Sequence, residues 1–410
     1  MSWFLPPRRA PSLALAWLLK PVGSSRCGSS WPAIRVSISS LKRTFRTLAI
    51  DWRVFNRLAP TENLCQDDPV SAHDQYAVVI VTHDHAETLA ACLAAVEGLV
   101  PAPVRVVVVD NASTDRSAEI AEERAGGLAT TIIREDQNTG FAAASNRGIS
   151  VTSEPWVLLL NPDCAPRPDL VQRLLDAVAS SPEASRIGAV SPKLLRAEGP
   201  AIEPQSVIDA AGMVVTCSGR HFDRGAGSDD DGTYDRPAWV FGGTAAAILL
   251  RREALNDVAY PGKEFFAESF FAYREDAELA WRLQLRRWRC LYAPTAVAAH
   301  RRGFRPEVGR QGHIAINRFS VRNRFLLRRH CADFWWHLRC FPWWLLRDLL
   351  VVGACLTVER ASLPALGDVR NLSSDSSRRR SWVLERRTAS PRQITRWFRR
   401  RGRVEEVEEP

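Results

Sequence analysis

Three clusters of acids and amides follow directly on short apolar runs: Thr82-His83-Asp84, Asp110-Asn111-Ala112-Ser113 and Asn161-Pro162-Asp163. Carboxylates and carboxamides bind a base, a ribose hydroxyl or a metal ion. No glycine-rich turn follows the first run, so the dinucleotide fingerprint is absent, and no P-loop occurs either. A diphosphate held here therefore needs its charge neutralised in another way. A divalent ion held by one or two carboxylates and completed by phosphate oxygens would do so. Two further features carry chemistry. Glu275-Asp276 opens a helical stretch running to about Arg287, in which Asp276, Leu279 and Leu283 share a face. A carboxylate near a helix N-terminus is held ionised by the dipole, which suits a base that must accept a proton. Gly242-Gly243-Thr244 precedes the apolar run Ala245–Leu250. Small residues there permit close approach of a donor or acceptor, or serve a tight turn.

The elements that must position these groups read as strands alternating with helices. Ala77–Thr82, Val104–Val109, Thr130–Arg134 and Trp156–Leu160 are short β-branched or apolar runs. Helical stretches begin near Glu87, Ser113 and Ala142, and another covers Asp169–Ser180. Near-continuous apolar strands of this kind predict an α/β fold, a mostly parallel sheet with helices on both faces. The right-handed crossover rule sets the strand C-termini along one edge, where ligands bind. Residues 197–237 read as an insertion or a strand-and-loop excursion, and a short strand, Thr295–Ala299, ends at His300.

The formal net charge is +9, concentrated at the ends. No Asp or Glu occurs in the first fifty residues, and the tail holds Arg378-Arg379-Arg380 and Arg399-Arg400-Arg401. Such ends suit an anionic membrane surface. A nucleic-acid partner is not expected, because no recognisable module or aromatic-studded sheet accompanies the charge. Residues 1–70 form a basic leader whose apolar piece, Leu13–Leu19, is too short to span a bilayer. Ile34, Ile38, Leu41, Phe45, Leu48, Trp52 and Phe55 then recur at helical spacing among basic residues. That stripe lies on a membrane or packs on the catalytic domain. Residues 331–410 are aromatic and basic, and Phe334–Val358 suits an in-plane membrane segment because Arg339, Arg347 and Asp348 interrupt it. Arg318, Arg322, Asn323 and Arg324 form either a phosphate-binding patch or a solvated helix face. The nine cysteines show no metal-ligand spacing, which fits reduced, buried thiols.

Seven segments occur in the order of one known family: VVIVTHD, VVVVDNASTDRS, NTGFAAASNRGI, LLLNPD, FGGTAAAILLRREAL, FFAYREDAELAWRL and AVAAHRRG. Over roughly residues 76–330 the chain resembles glycosyltransferase family 2, with the GT-A fold, and within it the rhamnosyltransferase-like branch. The resemblance implies an inverting transferase that moves a sugar from a nucleotide-diphosphate donor to a hydroxyl of a glycan or lipid-linked acceptor. The flanking basic and aromatic segments suggest a peripheral enzyme on the cytoplasmic face of the cell membrane, and the branch suggests rhamnose from a deoxythymidine-diphosphate donor. The alternative is a catalytically inactive GT-A-like binding or membrane-scaffold protein.

By the same resemblance, Thr82 and Asp110 hold the base and ribose, while Asn111, Asn138, Gly140, Asn161 and Gly243 shape the nucleotide-sugar pocket. Asn146 falls on a predicted helix, where packing, capping and donor contact all suit it. Asp163 is the ligand for Mg2+ or Mn2+, with His300 a further metal contact or a satisfied structural histidine. The family's Asp-x-Asp appears here as Asn161-Pro162-Asp163, so one carboxylate is missing and the donor diphosphate must contribute more of the ion's charge balance. Asp276 takes the acceptor proton, and Glu275 supports it or binds the acceptor.

Overall fold

The computed structural model describes residues 73–125, 129–302 and 314–407. The basic leader, with the amphipathic stripe expected over residues 34–55, lies outside the described residues. Four strands form where the apolar runs require them: β1 (Tyr76–Thr82), β2 (Arg105–Asp110), β3 (Thr130–Arg134) and β4 (Trp156–Leu160). They pair in parallel in the order β3-β2-β1-β4. Helices α1 (Ala86–Glu97), α2 (Ser117–Arg124) and α3 (Gly140–Ser150) connect them. Strand residues alternate between two cores. Val78, Ile80, Val108 and Leu158 face one, with Leu89, Cys92 and Val96 of α1. Val79, Val81, Val109 and Leu159 face the other, with Ala142 and Ile149 of α3. Burial on both faces is why these strands read as continuous apolar runs.

The chain moves outward from β1 to β3 and then returns to β4 on the other side of β1. That reversal opens a crevice beyond the strand C-termini, the position where open α/β sheets bind ligands.

Past β4 the sheet becomes mixed. The next elements are β5 (Cys164–Pro166), α4 (Leu170–Ala179), β6 (Ile187–Glu198), β7 (Glu203–Ala210), β8 (Met213–Val215) and β9 (His221–Asp223). Then come β10 (Ala238–Val240), β11 (Ala247–Arg251), α5 (Arg252–Val258), α6 (Glu275–Leu285) and β12 (Arg289–His300). β11 runs antiparallel between β4 and β6, while β12 pairs parallel with β6 and antiparallel with β5 and β10. The excursion at 197–237 contains the antiparallel pairs β6–β7 and β8–β9. The strand ending at His300 is longer than its apolar signal, 12 residues in all.

The remaining elements are α7 (Ile314–Cys331), α8 (Phe334–Cys340), α9 (Trp343–Thr357), α10 (Pro364–Asn371), α11 (Ser373–Glu385), α12 (Pro391–Thr395) and β13 (Glu405–Glu406). They are joined to the sheet rather than appended to it. β13 pairs with β10, and Trp281 of α6 packs against Trp336 and Phe398 at centroid distances of 5.7 and 4.7 Å. Among the described residues no single helix is long and apolar enough to cross a membrane, but α8 and α9 pass that test as a pair bent by 81°. Their outer face is apolar and open: Phe334 is 67% exposed, Leu349 63% and Leu350 57%, with Trp335, Leu338, Phe341 and Leu346 beside them.

Candidate active site

Register puts Thr82 and Asp110 side by side at the ends of β1 and β2. Both are buried, and Thr82 Oγ1 and Asp110 Oδ1 have no hydrogen-bond partner among the described residues. Asp110 Oδ2 accepts only a long bond, 3.4 Å, from the Ser113 amide. Buried polar atoms without partners are costly, so atoms held this way at a strand-end crevice are ready to receive a polar ligand. The expected helix start at Ser113 shifts to Ser117. Ser113 Oγ instead accepts from the Asp84 amide, and Asp84 Oδ1 accepts from the amides of Thr114 and Asp115. These bonds tie the loops after β1 and β2 together.

Asn111 and Asn138 are engaged with each other. Asn111 Nδ2 donates to Asn138 Oδ1 at 3.0 Å, and Asn111 Oδ1 accepts from the Thr139 amide and hydroxyl at 2.9 and 3.0 Å. Asn138 Oδ1 also accepts from the Gly140 amide, 2.9 Å. The pair therefore fixes the turn into α3. Gly140 sits at φ +85°, and a β-carbon there would come within 2.6 Å of the Phe271 ring and carbonyl. Asn146 serves packing: its carboxamide donates to Phe266 O at 2.8 Å and accepts from the Phe266 amide at 2.8 Å. Gly243 is also filled from within, since an added β-carbon would meet Ser191 and Ile248 at 2.9 and 3.0 Å. Its neighbour Gly242 lets α6 approach, with Ala280 Cβ 2.4 Å from the position a β-carbon would take.

A second constellation follows β4. Asn161 Oδ1 is buried without a partner, and Asp163 Oδ1 lies 3.4 Å from His300 Nε2. β5 pairs antiparallel with β12, which sets His300 opposite Cys164 and thereby beside Asp163. His300 Nδ1 lies 2.8 Å from Asp209 Oδ2, so the imidazole stands between two carboxylates. Burial works against its charge, but Asp163 and Asp209 outweigh that and raise it to about 9. Burial likewise opposes ionisation of Asp163 and Asp209, and the facing imidazole more than offsets it, holding both below the usual carboxylate range. Cys164 Sγ is within reach of the same point, but it donates to Ala246 O at 3.2 Å, and burial keeps the thiol protonated. The donor set is thus one carboxylate and one imidazole whose far nitrogen is oriented by a second carboxylate. This carboxylate–histidine arrangement suits a divalent ion, provided His300 gives up its Nε2 proton.

The third part begins at Arg274. Phe271, Tyr273 and Arg274 all have positive φ, at 63, 70 and 76°. A run of such residues is strained and persists only where its surroundings enforce it. Asn323 of α7 supplies the enforcement. It is fully buried, and its Nδ2 donates to the carbonyls of Phe270, Ala272 and Tyr273 at 2.9, 2.8 and 2.7 Å. Arg322 Nη2 adds a bond to Phe270 O at 2.6 Å, and its Nε donates to Asn323 Oδ1 at 2.9 Å. The clamp delivers Glu275 and Asp276 at the first turn of α6. Glu275 is buried with Oε2 unpartnered, and burial together with the Asp276 charge raises its carboxyl far above the ordinary range. Asp276 is pushed up to about 6 by burial and then by Asp223. Burial thus favours the protonated form of both acids, and the push on Glu275 comes partly from the charge on Asp276. Asp276 lines a small cavity with Gly242, Gly243 and Ala245.

Arg302 links the two halves, contacting Asp209 at 3.2 Å and Asp223 at 2.5 Å. Asp209, Asp223 and Arg302 were not singled out from sequence as parts of the site, and Asn323 was read as part of a phosphate-binding patch or a solvated helix face rather than as a clamp. Asp209 left one signal, a lone acid within the apolar run Val207-Ile208-Asp209-Ala210-Ala211. The acid at Glu278 has a structural role. It accepts from Tyr260 Oη at 2.6 Å and Arg282 Nε at 2.8 Å deep in the core.

Residues 77–192 match the family model described as glycosyl transferase family 2. A relative named N-acetylglucosaminyl-diphospho-decaprenol L-rhamnosyltransferase, from Mycobacterium tuberculosis, is 28% identical over 310 residues, covering 71% of this chain and 94% of the relative. Glycosyltransferase AglE of Haloferax volcanii is 31% identical over 108 residues, 26% of this chain and 36% of its own length. Among solved structures, GalNAc-T7 with UDP, GalNAc and Mn2+ superposes with a TM-score of 0.52 at 15% identity, covering 80% of this chain and 59% of that one. This last likeness concerns the fold alone, which is the GT-A fold.

Proposed function

Since the chain belongs to glycosyltransferase family 2, we propose that it transfers a sugar, with inversion, from a nucleoside-diphosphate donor to a hydroxyl of a lipid-linked glycan acceptor. The observation that carries this reading is Asp276, a half-open carboxylate raised to about 6 at a helix start beside the crevice. A base with a pKa close to the working pH is both available in its ionised form and strong enough to remove a proton. Thr82 and Asp110 offer unpartnered oxygens to the base and ribose. Asp163 and a neutral His300 are the groups that would hold Mg2+ or Mn2+, with Asp209 orienting the imidazole. Such an ion, when bound, supplies positive charge for the departing diphosphate. Burial and the neighbouring charge favour the protonated form of Glu275, which leaves Asp276 as the acceptor of the hydroxyl proton.

Rhamnose is the donor sugar and a diphosphate-linked N-acetylglucosaminyl lipid the acceptor, on the strength of the mycobacterial relative's name. The open apolar face of α8 and α9 rests on the membrane that carries this acceptor, with Arg339 close by in sequence to meet anionic headgroups. The test is transfer from deoxythymidine-diphosphate rhamnose to a synthetic diphosphate-linked N-acetylglucosaminyl lipid, with the anomeric configuration of the product read by NMR. Formation of the inverted glycoside, lost in Asp276→Asn, supports the reading. A product of retained configuration, or full activity in Asp276→Asn, contradicts it.

A further inference from the structure

Arg324 is 4% exposed, yet its Nε and Nη1 have no hydrogen-bond partner among the described residues. A buried guanidinium carries five donors and a fixed charge, and it is costly to leave without an anion. Among the described residues its surroundings hold more cations than anions. Burial disfavours its charge most, and Arg274, Arg347 and Arg328 act in the same direction. Asp348 works against them, but one of its oxygens is bound to Arg328 at 2.5 Å and the other, also buried, makes no hydrogen bond to Arg324. Arg347 Nε and Arg328 Nη1 are themselves buried and unpartnered. His221, which contacts Arg274 at 3.1 Å, is held neutral by burial and by the same arginines, so it adds no countercharge.

The position of this cluster is informative. Arg274 directly precedes Glu275 and Asp276, and Arg324 directly follows Asn323, whose carboxamide fixes the segment carrying those acids. Arg347 belongs to α9, whose outer face exposes Leu346, Leu349 and Leu350. The arginines therefore lie between the acid pair and the apolar face. We propose that Arg274, Arg324 and Arg347 form a site for the diphosphate of the lipid-linked acceptor. This rests on the transferase reading above and adds the acceptor's anionic group to it. A planar guanidinium fork matches phosphate oxygens in pairs, and two or three such forks suit a diphosphate rather than a single phosphate diester. The lipid lies along α8 and α9, the diphosphate meets the arginines, and the sugar hydroxyl reaches Asp276.

The test uses the full chain with farnesyl diphosphate, farnesol and a nucleoside diphosphate as calorimetric probes. Farnesyl diphosphate binds and farnesol binds much more weakly. Arg324→Gln and Arg347→Gln each weaken farnesyl diphosphate by at least about tenfold, the size of one lost charge-assisted hydrogen bond. Nucleoside diphosphate affinity stays within about twofold, because the donor site lies elsewhere. Unliganded Arg324→Gln melts no lower than the parent protein, since the change removes an uncompensated buried charge. Unchanged farnesyl diphosphate binding in both variants overturns the proposal, and so does a loss confined to the nucleoside diphosphate, which would assign the cluster to the donor. Wild-type protein that binds farnesyl diphosphate through these arginines but transfers no sugar leaves this site standing and removes the transferase reading. Sugar transfer with an acceptor KM unaffected by Arg324→Gln does the reverse.

Discussion

Asn323→Ala should slow catalysis strongly while leaving nucleotide binding intact. The side chain touches neither strand end nor the acids themselves. Its two Nδ2 protons are shared among three carbonyls, at 2.7–2.9 Å, in a segment with three positive-φ residues. Two net hydrogen bonds at ~0.5–1.5 kcal/mol each give ~1–3 kcal/mol. Each strained residue stores ~1–3 kcal/mol that the clamp no longer opposes, so the upper half of that range is expected. A loss of ~2–3 kcal/mol in holding Asp276 corresponds to a fall in kcat of about 30- to 150-fold. The assay is steady-state transfer beside calorimetric titration with a nucleoside diphosphate. Arg318→Ala on the same helix is the control, because its partner Asp368 forms a surface pair and kcat should move by less than about twofold. A folded Asn323→Ala protein with kcat within about threefold of the parent would refute the reasoning. An equal loss of nucleotide affinity would refute it too, by showing that the damage is general.

Three other outcomes follow from the same geometry. For Asp276, raised from 3.8 to about 6, the reactive form exists above that pH, so log kcat/KM should rise with unit slope to a plateau above about 6. Asp223→Asn should move that limb to lower pH, because the neighbouring negative charge is gone; a limb that does not move argues against Asp276 as the titrating base. Glu278 is lowered to about 2, against burial, by Arg282 and His330, so its stabilisation is present above 4.5 and is lost as pH falls from there towards 2. Glu278→Gln at pH 7 should cost ~3–5 kcal/mol in denaturant unfolding, since Arg282 is left buried without its carboxylate. Gly140→Ala should cost about 2–5 kcal/mol by the same measurement, from a positive φ and a contact 2.6 Å from Phe271. An unchanged midpoint in either variant would contradict the packing described.

The parallel half of the sheet was readable because each strand is apolar on both faces and ends in a polar residue, as Thr82 and Asp110 do. The positions of Asp163 and Asp276 were readable for a related reason: one acid closes an apolar run and the other opens a helical stretch, so β4 and α6 fix where each stands. What sequence did not reveal depends on long-range contacts. Asn111 and Asn138 were expected to shape a nucleotide pocket, and only the structure shows that they bond to each other and fix the turn into the helix at Gly140. Arg322 and Asn323 suggested a phosphate patch or a wetted face, yet they clamp the 270–274 segment some fifty positions away. Asp209 reaches His300 across 91 positions, a pairing set by how β7 and β12 lie against β6 and by nothing in the local pattern. The mixed pairing beyond β4 was hidden for the same reason, since β11 carries the same apolar character as a parallel strand while running the other way.

The central claim is that the strand-end crevice binds a nucleoside diphosphate together with a divalent ion. The most direct measurement is calorimetric titration of the full chain with UDP, GDP and dTDP, each with Mn2+, with Mg2+ and with chelator. One nucleotide should bind in a metal-dependent way, and Asp163→Ala should abolish the metal dependence while Asn161→Ala weakens it less. Folded protein that binds none of these nucleotides, or that binds one equally well with chelator and in Asp163→Ala, would contradict the account.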